Sequence, residues 1–166
     1  MLNLSLIRHA RTDLDNSIHD DMSRPISLQG IDKTKKVCEF LKKKKISFDE
    51  VFCSPSKRTK ETLNIIEKYL PNKPLVNYLD NLYHTSNADI FDTVMLEAQK
   101  KKVLIVSHQP LLSNSINSFF SGSKNKYYYN AITSYNTSAL FNVSFNCEKW
   151  HQILKSNAVL NFFVKP

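Results

Sequence analysis

Three pairs of polar side chains in this sequence are of types that together could hold and transfer a phosphoryl group. Arg8 and His9 adjoin in LNLSLIRHARTD, Ser54 and Arg58 share FCSPSKRTKETL, and Ser107 and His108 adjoin in VLIVSHQPLL. A neutral imidazole is a competent nucleophile toward phosphorus and forms a phosphohistidine intermediate. Guanidinium groups grip non-bridging oxygens through two bonds and offset the charge that redistributes in the transition state. Two histidines and two arginines could therefore surround one phosphoryl group, with Arg8 and Arg58 on its oxygens and His108 as a further donor.

Each piece alone has an ordinary explanation. An Arg-His pair arises often by chance. A histidine after a strand usually hydrogen-bonds within the fold, and SPxxR is a good helix start whatever its use. Their placement is more specific. Each cluster follows an apolar run that reads as a strand, at Leu2–Ile7, Val51–Cys53 and Val103–Val106. Ligands of open α/β sheets gather at the carboxyl ends of strands, so the three clusters converge if these strands are parallel neighbours.

The remaining elements alternate accordingly. Ile31, Thr34, Val37, Cys38 and Leu41 mark one face of a helix over 31–44 capped by Ser27. A second helix starts at Ser54-Pro55 with Thr59, Thr62, Leu63, Ile66 and Leu70 inward, which puts Arg58 in its first turn, where the dipole favours an anion. Leu75–Tyr78 reads as a strand, and Ile90, Phe91, Val94, Met95 and Ala98 as a helix. Pro110 opens another helix, with Leu111, Leu112, Ser115, Ile116 and Phe119 inside. The continuous apolar run at 103–106 suits a central strand covered on both faces. Ala139, Phe141, Val143 and Phe145 alternate with polar residues, and with Trp150–Leu154 they predict an antiparallel edge hairpin. The expected fold is a three-layer α/β/α sandwich with a mostly parallel sheet, in a single domain over 1–166.

Composition narrows the function. Basic residues exceed acidic ones by 23 to 15, a net charge of +8. The excess is dispersed lysine, and its runs at 42–45 and 100–102 fall at predicted helix ends. Arginine is scarce, at four residues, and Arg8, Arg11 and Arg58 all stand in or beside the three clusters. With Gly30 and Gly122 as the only glycines, a glycine-rich phosphate loop is excluded, so side chains and helix ends must hold any phosphate. Cys38, Cys53 and Cys147 form no CxxC pair and predict free thiols in a reducing cytoplasm. No apolar run reaches the length of a membrane span. Tyr127-Tyr128-Tyr129 has no glycine- or arginine-rich company, which argues against nucleic-acid binding.

The segments LIRHA, RPISLQG, FCSPSKRTKETL and VLIVSHQPLL resemble the histidine phosphatase superfamily, with its phosphoglycerate-mutase-like fold. Within it the chain is similar to the SixA-type phosphohistidine phosphatases. The resemblance covers nearly the whole chain. It implies His9 as the residue that becomes phosphorylated, and Arg8, Arg58 and His108 as the phosphate pocket. It implies no metal and no organic cofactor. The partner it implies is a phosphohistidine-containing protein, either a phosphotransfer domain or a phosphocarrier, and a free phosphate ion should fit the same site. Two departures stand out. Ala10 replaces the glycine common after the first histidine. The segment LDNLYHTSNAD holds Asp80, His84 and Asp89 but no match to the usual acid of many relatives. Without that acid, P–N substrates are favoured over phosphate esters. The rival readings are a small-molecule phosphomonoesterase and a non-catalytic phospho-ligand module.

Other polar residues have plainer expectations. His84 is read as a surface-loop histidine, with a proton-donor role as the alternative. His19-Asp20-Asp21, with Asp13 and Asp15, is read as a polar loop over the site mouth rather than a metal site. Arg11 either reaches substrate or pairs with Asp13 or Asp15. Thr62 bonds within its helix, Ser107 orients the pocket, and His151 is structural on the edge hairpin.

Overall fold

The structure, a computed structural model, describes residues 1–13 and 20–166. Among the described residues six strands form one sheet. They are β1 (Leu2–Arg8), β2 (Glu50–Cys53), β3 (Leu75–Tyr78), β4 (Lys102–Ser107), β5 (Leu140–Phe145) and β6 (Ala158–Val164), in the spatial order β3-β2-β4-β1-β5-β6. The four strands from β3 to β1 are mutually parallel, and β5 and β6 are antiparallel additions at the edge. Among the described residues five α-helices cover the sheet: α1 (Leu28–Lys43), α2 (Lys57–Glu67), α3 (Ile90–Glu97), α4 (Leu111–Phe120) and α5 (Lys126–Thr133).

Successive strand residues point to opposite faces, and this alternation splits the core. Leu2, Leu4, Leu6, Val103, Ile105, Phe141 and Val143 pack beneath α3, α4 and α5. Ile7, Val51, Cys53, Leu104, Val106 and Leu140 pack beneath α1 and α2. The central β4 is buried from Val103 to Ser107, which explains its unbroken apolar run. The three-layer, mostly parallel architecture is as expected.

Three local readings need correction. The hairpin partner of β5 is Ala158–Val164, not Trp150–Leu154. Residues 150–152 instead form a 3-10 turn that buries Trp150, whose indole N–H donates to the Lys100 carbonyl at 2.7 Å. His151 sits exposed on that turn rather than on a strand. The helix carrying Arg58 starts at Lys57 with Ser56 at its cap, because the Ser54 N–H still donates to Val106 of the neighbouring strand. The tyrosine run, which the sequence reading assigned to no element, lies on a helix, α5. Asn125 caps it, and buried Tyr128 donates its hydroxyl to Asn117 of α4.

Ser27 caps α1 by accepting from the Gly30 N–H at 3.0 Å. Gly30 lies under the chain that leaves β1, and a Cβ there would stand 2.4 Å from the Arg11 carbonyl oxygen. Gly30→Ala must therefore push α1 away from the segment that follows His9. The expected loss is about 1–3 kcal/mol, and thermal and denaturant melts would measure it.

Candidate active site

The carboxyl ends of β1, β2 and β4 meet at one edge of the sheet, where Arg8 pairs with Ser107 and Cys53 with Val106 in register. That register brings His9 and His108 together, with ring centroids 5.0 Å apart. Arg58 enters from the first turn of α2 with its side chain 5 % exposed. Arg8 reaches the same edge, where its guanidinium faces the like charge of Arg58; burial first, then that charge, lowers its pKa. The structure thus brings Arg8, His9, Arg58 and His108 into one cluster.

Each side chain is held from outside the cluster. The His9 Nδ1 lies 2.7 Å from the Ala10 carbonyl. A carbonyl can only accept, so Nδ1 carries the proton and Nε2 keeps its lone pair. The Ala10 N–H in turn donates to Thr62 Oγ1 at 2.9 Å, and that hydroxyl donates to the Arg58 carbonyl. Thr62 therefore bonds within its helix and also clamps the chain beside His9. Arg8 donates from Nη1 to the Tyr135 carbonyl at 2.8 Å, and the Tyr135 hydroxyl donates back to the Leu6 carbonyl at 2.5 Å. His108 Nε2 lies 2.8 Å from Ser54 Oγ. Ser107 donates to the Leu82 carbonyl at 2.7 Å and so fixes the turn that carries Tyr83 and His84.

Asp21 is the residue that the sequence did not flag individually. It stands in a 3-10 turn (Asp21–Ser23) against the guanidinium of Arg58. Arg58 donates from Nη1 to its carbonyl at 2.6 Å and from Nη2 to its Oδ2 at 2.9 Å. Tyr83 donates its hydroxyl to the same Oδ2, and Arg24 pairs with Oδ1. Burial alone would raise this carboxyl. The hydrogen bonds from Tyr83 and Arg58 and the Arg58 charge prevail and hold it well below the usual carboxylate range. Aspartates are common in polar loops, so only the fold distinguishes this one.

The remaining expectations resolve individually. Among the described residues Arg11 does not pair with Asp13; it donates to Gln29 Oε1 at 2.7 Å on the surface. Asp15 and His19 lie outside the described residues, and so does any metal reading that needs His19. His84 is not a detached surface histidine, since its ring packs tilted against Tyr83 at 4.3 Å and lies 5.7 Å from that of His108. Asp80 is exposed, and Asp89 is spent as the cap of α3, accepting from Phe91 at 2.7 Å.

Among the described residues, three buried side-chain polar atoms have no hydrogen-bond partner: Arg8 Nε, His108 Nδ1 and His84 Nδ1. All three belong to this cluster. An unsatisfied buried donor is costly and calls for a ligand or a functional reason.

Burial, followed by neighbouring positive charge, depresses both central imidazoles. His9 is lowered to about 3 and His108 to about 2, so both are neutral at physiological pH. An exposed imidazole in the unfolded chain takes its proton near 6.5. Below that pH the unfolded state binds more protons, so folding stability declines as the pH drops from 6.5 toward 3. Urea melts at about pH 7.5 and about pH 4.5 should show this loss, and His108→Asn should reduce it.

Residues 4–82 match the family model of the histidine phosphatase superfamily (branch 1). No curated protein matches the sequence. Among solved structures the chain is similar to the protein histidine phosphatase SixA complexed with tungstate, at 22 % identity and TM-score 0.76, covering 99 % of this chain and 97 % of that one. It is also similar to a chain assigned as SixA from Nakamurella multipartitia, at 21 % identity and TM-score 0.80, covering 99 % and 96 %. A third, assigned as SixA from Agrobacterium tumefaciens, has 18 % identity and TM-score 0.77, covering 99 % and 98 %. At these identities the structural likeness is one of fold.

Proposed function

We propose that this chain, of the histidine phosphatase superfamily by its match over residues 4–82 and of SixA fold along its length, is a phosphatase that removes the phosphoryl group from a phosphohistidine on a partner protein. The observation that carries the reading is the convergence of unpartnered donors, Arg8 Nε and His108 Nδ1, with a neutral His9 whose Nε2 lone pair is free. A tetrahedral oxyanion supplies the acceptors these donors need. The tungstate bound by one structural neighbour, itself a tetrahedral oxyanion, supports the same use here.

The chemistry follows from the contacts. His9 Nε2 attacks phosphorus in line, the substrate P–N bond breaks, and the phosphoryl group stays on His9. Water then attacks phospho-His9, the second P–N bond breaks, and inorganic phosphate leaves with His9 restored. Arg8 and Arg58 draw charge from the non-bridging oxygens through both steps. With the Ser54 hydroxyl as donor to His108 Nε2, the single N–H of that neutral ring stands at Nδ1 and is available to an oxyanion.

A protein substrate is supported by the ground around the cluster. A groove of about 400 Å³ opens beside Arg8, lined by Gln109, Pro110, Ser134, Tyr135 and Asn136. The net charge of +8 would speed encounter with an acidic partner. A phosphotransfer domain or a phosphocarrier fits this description. Free thiols at Cys38, Cys53 and Cys147 favour a reducing compartment, and no helix among the described residues is long and apolar enough to cross a membrane.

The test compares a phosphohistidine protein with an alkyl phosphate, each with wild type and His9→Ala. A higher kcat/KM for the phosphohistidine, dependent on His9, is expected. Fast turnover of the alkyl ester with none of the phosphohistidine would overturn the reading and assign the chain as a small-molecule phosphomonoesterase.

A further inference from the structure

We propose that His84 gives the proton to the leaving group and takes one from the attacking water at this site; the proposal rests on the phosphatase reading above. His84 follows the 3-10 turn Asp80–Leu82, which Ser107 ties to the end of β4. Tyr83 packs tilted against its ring at 4.3 Å, and the His84 ring lies 5.7 Å from that of His108. Its Nδ1 is buried without a hydrogen-bond partner.

The carboxylate beside it points to the role. Nδ1 stands 3.8 Å from Asp21 Oδ2, the oxygen that also accepts from Arg58 and Tyr83. A lone pair turned toward a carboxylate is repelled, so the N–H is the favoured occupant of Nδ1. His84 thus turns its Nδ1 N–H toward the edge of the cluster where Arg58 already holds a carboxylate oxygen. The rest of its ring is open, since the side chain is 35 % exposed and borders a groove of about 320 Å³ with Asn87, Asp89 and Asn114. A proton can be replenished from solvent.

The other candidates around this edge are engaged elsewhere. Asp21 is held ionised by Arg58 and Tyr83. Asp89 caps α3, and the Asn81 amide donates to Thr93. Tyr83 spends its proton on Asp21, and burial followed by that bond raises its pKa. An imidazole both donates and accepts near neutrality.

The cycle balances. As His9 Nε2 bonds to phosphorus and the substrate bond breaks, the departing atom takes the Nδ1 proton of the His84 imidazolium, leaving that ring neutral. Water then attacks phospho-His9, one water proton passes to His84 Nδ1, and phosphate leaves as the His9 lone pair returns. A phosphate ester needs this proton on the departing oxygen. A phosphoramidate already carries protons on its nitrogen, and 4-nitrophenolate departs without one.

The experiment reads kcat/KM for phenyl phosphate, 4-nitrophenyl phosphate and phosphoramidate in wild type, His84→Gln and His84→Asn. Phenyl phosphate should fall about 10²-fold or more in both variants, and the other two by less than about tenfold. The ratio between substrates is unaffected by any fraction of unfolded protein. Equal losses on all three substrates make His84 merely structural and overturn the proposal, as does an unchanged rate on phenyl phosphate. A wild type without His9-dependent turnover of any of the three overturns the phosphatase reading as well.

Discussion

His9→Ala is expected to fold as the wild type does and to lose about 10⁴-fold or more of its turnover. Among the described residues the ring makes one polar contact with the fold, from Nδ1 to the neighbouring Ala10 carbonyl, so its removal leaves the sheet and both core layers intact. The nucleophile itself disappears. Arg8, Arg58 and His108 stay in place, so the variant should still bind inorganic phosphate, measurable by calorimetry or ³¹P line broadening. Binding without turnover separates the role of His9 from that of the cage.

The second large effect is expected at Arg58. Arg58→Lys keeps the charge but loses the fork that places one donor on the Asp21 carbonyl and another on its carboxylate. A lysine ammonium cannot hold Asp21 in that way and grip a phosphate oxygen at the same time. The expected cost is about 10²-fold or more in kcat, with weaker phosphate binding. Arg11→Lys is the matching control. Its guanidinium bonds only Gln29 among the described residues, on the surface, and its exchange should leave kcat near wild type.

The parts of the fold that could be read from the sequence were those whose own side chains state their burial. The unbroken Val103–Val106 run marks a strand covered twice, and Ile31 to Leu41 marks one face of α1. The strand ends followed at once, and with them Arg8-His9 and Ser107-His108. Elements defined by distant partners were not legible. Tyr127–Tyr129 favours strands by propensity and is helical because Tyr128 packs and bonds against α4. AVLNFFV at 158–164 has plain strand character, but the nearer Trp150–Leu154 offered a shorter connection, and only the buried indole contact to Lys100 shows why that segment turns instead.

The same distinction applies within the site. The side chains with distinctive chemistry could be found from type and spacing. Their supports could not, because Tyr135 serves Arg8 through a backbone carbonyl and Ala10 fixes His9 in the same way. A carbonyl carries no sequence signature. Asp21 and His84 lie 63 positions apart and acquire meaning only when both meet the cluster beside Arg58.

The most direct test is the covalent state of His9. Protein mixed briefly with ³²P-phosphoramidate, quenched in alkali and digested should yield one acid-labile, alkali-stable phosphate on the peptide that bears His9, and none from His9→Ala. Turnover without label on His9, or label on His84 or His108 in its place, would contradict the account.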